Sequence, residues 1–237
     1  MKNPKERTYR QQFTDTFKKL ACTRHNAQVW ADFVTLAACA ISNSVDMRHY
    51  KEREDRYLSI ISRYSKAECD MFSQLLAFTA QAMEQKPEQD FLGERFMLDL
   101  ELGNKGTGQH FTPYSLGKCI AQIQSTSLAA EVEAKGYIAV NDCCCGAGCL
   151  LLAFANEALA QGINYQDKVL FVAQDIDYIV AMSCYIQLSL LGCAGYVIVG
   201  NTLSCEAPRS EDIWYTPMYF MPVWGSRRLA KQLAKSA

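Results

Sequence analysis

Apolar residues recur at every third or fourth position in the first hundred residues, which is the spacing of amphipathic helices. One such stripe runs from Val29 to Ile41 and a second from Met71 to Met83. The segment between them, 47–56, is dense in charge, and we interpret it as an exposed turn and helix surface. The first part of the chain is therefore predicted to be helical, with each helix burying one face.

The pattern changes in the second half, where short apolar runs rich in β-branched and aromatic residues alternate with longer helical stretches. The runs are Tyr137–Val140, Val169–Ala173 and Tyr196–Val199, and the helical stretches are Leu150–Leu159 and Tyr178–Leu191. Strands that alternate with helices of this length are typical of βαβ units. The fold class predicted is α/β, with a parallel sheet, helices on both of its faces and a helical N-terminal piece.

A glycine-rich stretch, Gly103–Gly108, separates the two patterns and is predicted to be a flexible or tightly turning loop. We place the domain boundary there, with a helical domain over 1–103, an α/β domain over 104–225 and a basic tail over 226–237. The tail carries four cations and no acid, and it is either a solvated terminal helix or a phosphate-contacting segment. Its cations are Arg227, Arg228, Lys231 and Lys235.

Composition narrows the class of protein without identifying it. The chain has 237 residues, of which 49% are hydrophobic and 21% charged, an ordinary globular composition that excludes disordered and fibrous classes. The formal net charge of -1 neither favours nor excludes nucleic acid, because phosphate is bound by local patches. No secretory leader or membrane-spanning run is recognisable, so the eleven cysteines are expected to be free thiols in a reducing cytoplasm.

Polar or glycine-rich turns follow all three predicted strands, at the edge where open parallel sheets bind their ligands. The first turn contains Gly146 and Gly148, which allow the backbone to approach a ligand closely. Leu151 stands where a dinucleotide fingerprint needs a third glycine, and no P-loop lysine is present. Asp175, at the end of the second strand, is suited to accept hydrogen bonds from two ribose hydroxyls. This pattern favours a nucleoside-bearing cofactor that lacks a pyrophosphate.

Four motifs, in this order, carry a family resemblance. They are Gly108-Gln109-His110-Phe111-Thr112-Pro113, Asp142-x-x-Cys145-Gly146-Ala147-Gly148, Gln174-Asp175-Ile176-Asp177 and Gly200-Asn201-Thr202-Leu203. The chain thereby resembles adenine-specific N6 DNA methyltransferases over roughly residues 90–205, in particular the modification subunits of type I restriction systems. The resemblance implies a Rossmann-like methyltransferase core with a shortened sheet, and S-adenosylmethionine as cofactor.

The resemblance also implies which residues hold the cofactor. Asp142 would receive its amino group, Asp175 would hold the ribose and Ile176 would pack on the adenine ring. Asn201 stands where the family usually has Asp, and its side-chain oxygen can still accept from the adenine amine. The full predicted set is Gln109, Phe111, Thr112, Pro113, Asp142, Cys144, Cys145, Gly146, Gly148, Asp175, Ile176 and Asn201.

The catalytic motif departs from the family. An Asn-Pro-Pro-aromatic tetrad is expected after the fourth strand, where it accepts the protons of the target amine and stacks the flipped base. This chain has Thr216-Pro217-Met218-Tyr219 at that spacing, which matches two positions of four. Either Thr216, Pro217 and Tyr219 form an altered catalytic loop, or the segment is an aromatic edge strand packed on the helical domain.

The function indicated is S-adenosylmethionine-dependent methyl transfer to an exocyclic amine in DNA. The alternative is a catalytically degenerate accessory or regulatory protein of a restriction-modification or mobile-element system that keeps the cofactor pocket. A third hypothesis is a methyltransferase acting on RNA or on a protein amide.

Partners and metals are inferred from what surrounds these motifs. Only 18 residues follow Tyr219, too few for further strands of a complete sheet, so we expect a homo-oligomer or a partner subunit to cover an exposed sheet edge. Cys143–Cys145 and Cys149 do not have zinc-like spacing, and no metal is expected. DNA is a possible partner, and no membrane association is expected.

Overall fold

A computed structural model describes residues 8–95, 112–204 and 207–236, apart from the side chains of 231, 232 and 234–236. The amino-terminal part is helical, as the apolar stripes predict. Its helices are α1 (Tyr9–Leu20), α2 (Asn26–Asn43), α3 (Tyr50–Ile61), α4 (Lys66–Gln85) and the short α5 (Phe91–Glu94).

Local sequence signals account for where these helices begin and end. Thr8 and Ser65 each form a capping box with the residue three positions later, and so satisfy backbone N–H groups at the starts of α1 and α4. Proline cannot continue a helix, and α4 ends at Gln85, two residues before Pro87. Asp90 caps α5 by accepting a hydrogen bond from the Gly93 N–H.

The core of the helical part is aromatic. Phe13 makes edge contacts with Trp30, Phe33 and Phe91, with ring centroids 5.4 to 6.2 Å apart. Edge-to-face pairs of this kind add stability beyond the area they bury. The result is a tightly interlocked centre between α1, α2 and α5.

The second part is a four-stranded sheet with helices between its strands. The strands are β1 (Ile138–Asp142), β2 (Val169–Asp175), β3 (Ala194–Val199) and β4 (Ile213–Tyr215), in the spatial order β1-β2-β3-β4. The helices are α6 (Tyr114–Gln124), α7 (Leu128–Lys135), α8 (Cys149–Ala160), α9 (Tyr165–Lys168), α10 (Tyr178–Leu190) and α11 (Pro222–Ser236). The α/β class, the three predicted strands and the two predicted helices are thereby confirmed.

The direction of β4 sets the geometry of the molecule. β1, β2 and β3 are parallel, whereas β4 is antiparallel to β3, with Ile213 opposite Ile198 and Tyr215 opposite Tyr196. The carboxyl ends of the first three strands therefore lie along one boundary of the sheet, which we call the carboxyl edge. This edge runs across the strand ends and is distinct from the outer sides of β1 and β4. The residues that follow β4 lie at the opposite, amino edge.

The helical part and the sheet are joined through β4 and α10. Arg53 of α3 is buried, lies 3.9 Å from the Trp214 ring centroid and donates to the Ile213 carbonyl at 2.9 Å. α2 packs along α10, and the buried apolar residues of both parts form one continuous cluster. The predicted boundary at 103/104 lies outside the described residues and stays a prediction, while α11 runs through the predicted boundary at 225/226.

Candidate cofactor site at the carboxyl edge

The loops after the three parallel strands are tied together by hydrogen bonds. The Cys145 N–H donates to the Gln174 carbonyl at 2.9 Å, which joins the first loop to the end of β2. The Gly200 N–H donates to the Asp175 carbonyl at 2.9 Å, and the Thr202 hydroxyl donates to the Cys143 carbonyl at 2.7 Å. The structure thus brings three of the four predicted motifs to one place.

Asp142 ends β1 with one carboxylate oxygen engaged and one free. Oδ1 accepts from the Cys144 N–H at 3.2 Å, whereas Oδ2 is buried and has no hydrogen-bond partner among the described residues. Burial raises the pKa of Asp142, the Cys144 hydrogen bond lowers it, and the nearby Asp175 carboxylate raises it further. A buried carboxylate oxygen without a partner is costly unless a donor from a ligand satisfies it.

Asp175 ends β2 and is held rigidly by backbone donors. Its Oδ2 accepts from the Gly146 N–H at 2.9 Å and its Oδ1 from the Asp177 N–H at 3.0 Å. Each carboxylate oxygen keeps a second lone pair, so the group can still accept hydrogen bonds from two neighbouring hydroxyls. Ile176, which follows directly, is 70% exposed and presents an apolar side chain beside this carboxylate.

The two glycines of the first loop differ in their surroundings. We call residues Cys143–Gly148 the glycine turn. Gly146 (φ 55°) has open space where a side chain would begin, whereas at Gly148 (φ 100°) a Cβ would lie 2.8 Å from the buried Cys184 Sγ. Gly146 therefore leaves room for a ligand, and Gly148 allows α8 to start close against α10.

The cysteines of this region divide into two groups. Cys143 and Cys144 are exposed, whereas Cys145 and Cys149 are buried, and burial raises the pKa of Cys149 to about 12. The buried pair behaves as small apolar residues. No cluster of His, Cys, Asp and Glu within 8–95, 112–204 and 207–236 could hold a metal ion.

The remaining predicted cofactor residues that the structure describes are Asn201, after β3, and Thr112 and Pro113, before α6. Asn201 is exposed, and its Oδ1 accepts from the Leu203 N–H at 3.0 Å, which fixes the loop after β3. Thr112 and Pro113 precede α6, and Gly117, one turn later, packs against Cys149 at the start of α8. The predicted residues Gln109 and Phe111 lie outside the described residues.

The three predicted catalytic residues lie elsewhere. Thr216, Pro217 and Tyr219 follow the antiparallel β4, at the amino edge, so the structure does not bring them to the predicted cofactor residues. Thr216 is fully buried: its hydroxyl donates to the Cys193 carbonyl at 2.7 Å and accepts from the Gly195 N–H at 3.0 Å. This position does not fit the first interpretation of the segment, an altered catalytic loop beside the cofactor, because β4 is antiparallel to β3 and ends at the amino edge.

The other interpretation of this segment matches the structure. β4 is an edge strand, and Trp214 is buried between Arg53 of α3 and Tyr185 of α10. Tyr215 stacks on Tyr219 with ring centroids 4.7 Å apart. Arg228 of α11 covers the Tyr219 ring at 4.1 Å. These aromatic residues therefore close the amino edge together with α11.

Two residues that contact the site or its support, Gln187 and Asp90, were not identified from the sequence. Gln187 lies in the middle of the apolar helix α10 and is fully buried, with its Nε2 donating to the Ala147 carbonyl of the glycine turn at 2.8 Å. The same Nε2 donates to Asp90 Oδ1 at 2.8 Å. A single amide in a long apolar helix was the available signal, since buried polar groups need partners.

The fold and this edge define a mixed α/β protein that presents a glycine turn and two carboxylates beyond a mostly parallel sheet. Residues 91–223 match the family described as N-6 DNA Methylase. The match covers more than half of the chain, and the chain belongs to this family, which confirms the resemblance found in its motifs. Neither a search of curated proteins nor one of solved structures gives a match.

The family membership bears on the cofactor and on the function. Its members normally use S-adenosylmethionine, and an N6 DNA methylase-like function follows from the family. In the described part of the chain, no helix has both the length and the apolar character needed to cross a membrane.

Proposed function

We propose that this protein binds S-adenosylmethionine at the carboxyl edge and serves in methyl transfer to an exocyclic amine of DNA. The observation that carries the proposal is Asp142, whose buried Oδ2 lacks a donor within the described residues. The ammonium group of the cofactor's methionine end is a donor of the right charge. The open backbone at Gly146 provides space beside it.

The remaining residues fit the same ligand. Asp175 would accept from the ribose hydroxyls, and the exposed Ile176 would pack on the adenine ring. Asn201 would accept from the adenine amine and Thr112 would lie at the methionine end. Pro113, Gln109 and Phe111 would line that end too, and Cys144, Cys145 and Gly148 would form the floor. On this proposal the core is Rossmann-like, and bound cofactor supplies an electrophilic methyl group.

A second candidate function is favoured by the position of Thr216. An exocyclic amine is activated by acceptors for its two protons, and these must lie beside the methyl group. Thr216 is buried at the amino edge, and its hydroxyl already donates one hydrogen bond and accepts another. The second candidate is therefore an accessory protein that binds the cofactor without catalysing transfer by itself.

Cofactor binding is tested by calorimetric titration with S-adenosylmethionine. We expect heat with the wild type and an affinity about tenfold or more weaker for Asp142→Asn, because the amide oxygen carries no charge. Asp70→Asn, which removes the same charge from the exposed surface of α4, is the matched control. Absence of heat with the wild type would contradict the proposal.

Catalysis is tested by transfer of a tritiated methyl group to mixed-sequence DNA. Labelled DNA supports the first function, and cofactor binding without labelling supports the second. Tyr219→Ala is then informative: since Tyr219 lies at the amino edge, we expect it to leave both cofactor affinity and any labelling unchanged. A loss of labelling with intact cofactor binding would restore Tyr219 to the catalytic loop.

We also propose a partner at the outer side of β1. Within the described ranges no strand pairs with this side, and the first four residues of β1, 138–141, include no charge or proline. The one carboxylate of the strand, Asp142, is its last residue and lies at the candidate cofactor site. Uncharged edges without proline or a bulge pair readily with another strand. The occupant is a strand of a second copy or of a partner subunit.

A further inference from the structure

The Gln187 side chain connects the glycine turn to α5. Its Nε2 donates to the Ala147 carbonyl and to Asp90 Oδ1, both at 2.8 Å, and its Oε1 accepts from the Leu92 N–H at 3.1 Å. Gln187 is fully buried, and Ala147, Asp90 and Leu92 are each no more than 2% exposed. Water does not compete for these bonds, so the amide has one orientation that satisfies all its partners.

The partner on α5 is itself fixed. Asp90 Oδ1 also accepts from the Gly93 N–H at 3.0 Å, and a Cβ on Gly93 would fall 2.1 Å from Asp90 Oδ2. The carboxylate is thus clamped against the first turn of α5. A shift of α5 would move Asp90 and, through the amide, would pull on the Ala147 carbonyl.

The partner on the turn lies in the centre of the candidate site. Ala147 stands between Gly146, which donates to Asp175, and Gly148, whose N–H donates to the Cys145 carbonyl at 2.8 Å. From α10, the Gln187 bond holds Ala147 in place between these two glycines. Losing it would free the turn where the ligand would lie.

We propose that Gln187 and Asp90 are positioning residues that hold the glycine turn in its cofactor-binding conformation and couple it to α5. As far as the cofactor is concerned, the inference rests on the proposed function. Both residues are buried, and the proposal gives them no contact with the ligand. Their effect is on the turn, and it is measurable in the protein without cofactor.

The first experiment compares Gln187→Met with the wild type. Methionine has a similar length and shape but no donors, so we expect the affinity for S-adenosylmethionine to fall about tenfold or more. The amides of Gly146 and Gly148 should exchange with solvent faster in the cofactor-free variant. Ser183→Ala, a buried change on the same helix, should alter neither quantity, because within the described residues the Ser183 hydroxyl bonds to the Ile179 carbonyl of its own helix.

A double variant separates the turn from general stability. Gln187→Glu alone sets a second carboxylate against Asp90 and should destabilise the fold. Adding Asp90→Asn removes the second carboxylate: the amide introduced at position 90 can donate to the carboxylate introduced at position 187, but it then no longer accepts from the Gly93 N–H, because both contacts use the same atom position. The Leu92 N–H keeps its acceptor. No donor remains for the Ala147 carbonyl.

The double variant is therefore expected to recover the part of the lost stability that comes from repulsion between the two carboxylates, while its cofactor affinity stays about tenfold or more weaker. Its Gly146 and Gly148 amides should still exchange faster than in the wild type. Wild-type exchange at both amides in Gln187→Met and in the double variant would overturn the inference. If the wild type binds no cofactor, the proposed function fails, and amide exchange alone decides the positioning role.

Discussion

At the residue scale, Gly146 and Gly148 show how two positions of one turn serve different needs. Both have a positive φ, which a side chain makes unfavourable by about 1 to 2 kcal/mol. Only at Gly148 would a Cβ also collide with a neighbour, the buried Cys184 Sγ. One glycine is needed for the space of a ligand, and the other for the packing of α8 against α10.

The two substitutions are predicted to differ accordingly. Gly146→Ala should cost about 1 kcal/mol of unfolding free energy and weaken cofactor binding, since its methyl group enters the open space. Gly148→Ala should cost about 3 kcal/mol, because overpacking adds to the strain. Urea denaturation measures both, and Cys184→Ala in the Gly148→Ala background should recover the part due to overpacking. Equal losses at the two positions would contradict this assignment.

Asp90 leads to a prediction about pH at the same scale. Burial raises its pKa to about 6, against hydrogen bonds from Gln187 and Gly93 that lower it. Between about pH 4 and 6 the folded protein then holds a proton that the unfolded chain releases, so stability falls as pH rises through this window. By pH 7, the titration of Asp90 lowers the free energy of unfolding by about 3 kcal/mol relative to a pH at which Asp90 is protonated in both the folded and the unfolded chain.

Asp90→Asn removes this dependence. The difference in unfolding free energy between the variant and the wild type should therefore shift in favour of the variant from pH 4 to pH 7. Thermal or urea unfolding at several pH values measures it, with Asp70→Asn as a control that removes an exposed carboxylate. A constant difference across the range would contradict the raised pKa.

At the element scale, β4 decides where the aromatic segment lies. Its antiparallel pairing with β3 carries Thr216 to the amino edge, where the hydroxyl is bonded to Cys193 and Gly195. We predict that Thr216→Val costs about 2 kcal/mol, since the Gly195 N–H is left buried without an acceptor. Cofactor affinity, measured by calorimetry, should stay at the wild-type value. A stable variant that bound cofactor but lost methyl transfer would instead support a catalytic Thr216.

The Arg53 guanidinium joins β4 to the helical part. Arg53 stacks on Trp214 and donates to Asp46 Oδ2 at 2.9 Å, and His49 Nδ1 lies 2.8 Å from the same oxygen. Arg53→Met should therefore cost about 3 to 5 kcal/mol, because the buried Asp46 loses its cation. Arg56→Met, one turn later and in contact with solvent, should cost about 1 kcal/mol or less. Equal losses of unfolding free energy for the two variants, measured by urea denaturation, would contradict the prediction that the buried cation contributes more than the exposed one.

At the scale of the whole molecule, the outer side of β1 is where association is predicted. Sedimentation of the wild type should show an oligomer, and Ala139→Lys should reduce it to a monomer because a charge on an edge strand opposes pairing. Ala129→Lys, on the exposed surface of α7, is the control and should leave the oligomer intact. A wild-type monomer would leave a partner subunit as the occupant of this edge.

The sequence by itself determined the local elements and the family. Periodicity predicted α2, α4, α8, α10 and three strands, because burial of one face imposes its period on the chain. The motif residues that follow β1, β2 and β3 could be grouped as one site, since parallel strands end at the same edge. Asp142 and Asp175 are examples: each lies at a strand end and was predicted at that place.

Only the tertiary structure decided the features that depend on the direction of a strand or on distant partners. A three-residue strand such as β4 carries no signal for its direction, and the direction alone separates Thr216 from the candidate site. In the sequence, Gln187 is one amide in an apolar helical stretch and Arg53 is one cation in a charged segment, and neither pattern indicates which residues they contact. Their roles come from Ala147, Asp90 and Trp214, which are far away along the chain and become neighbours only when the chain folds.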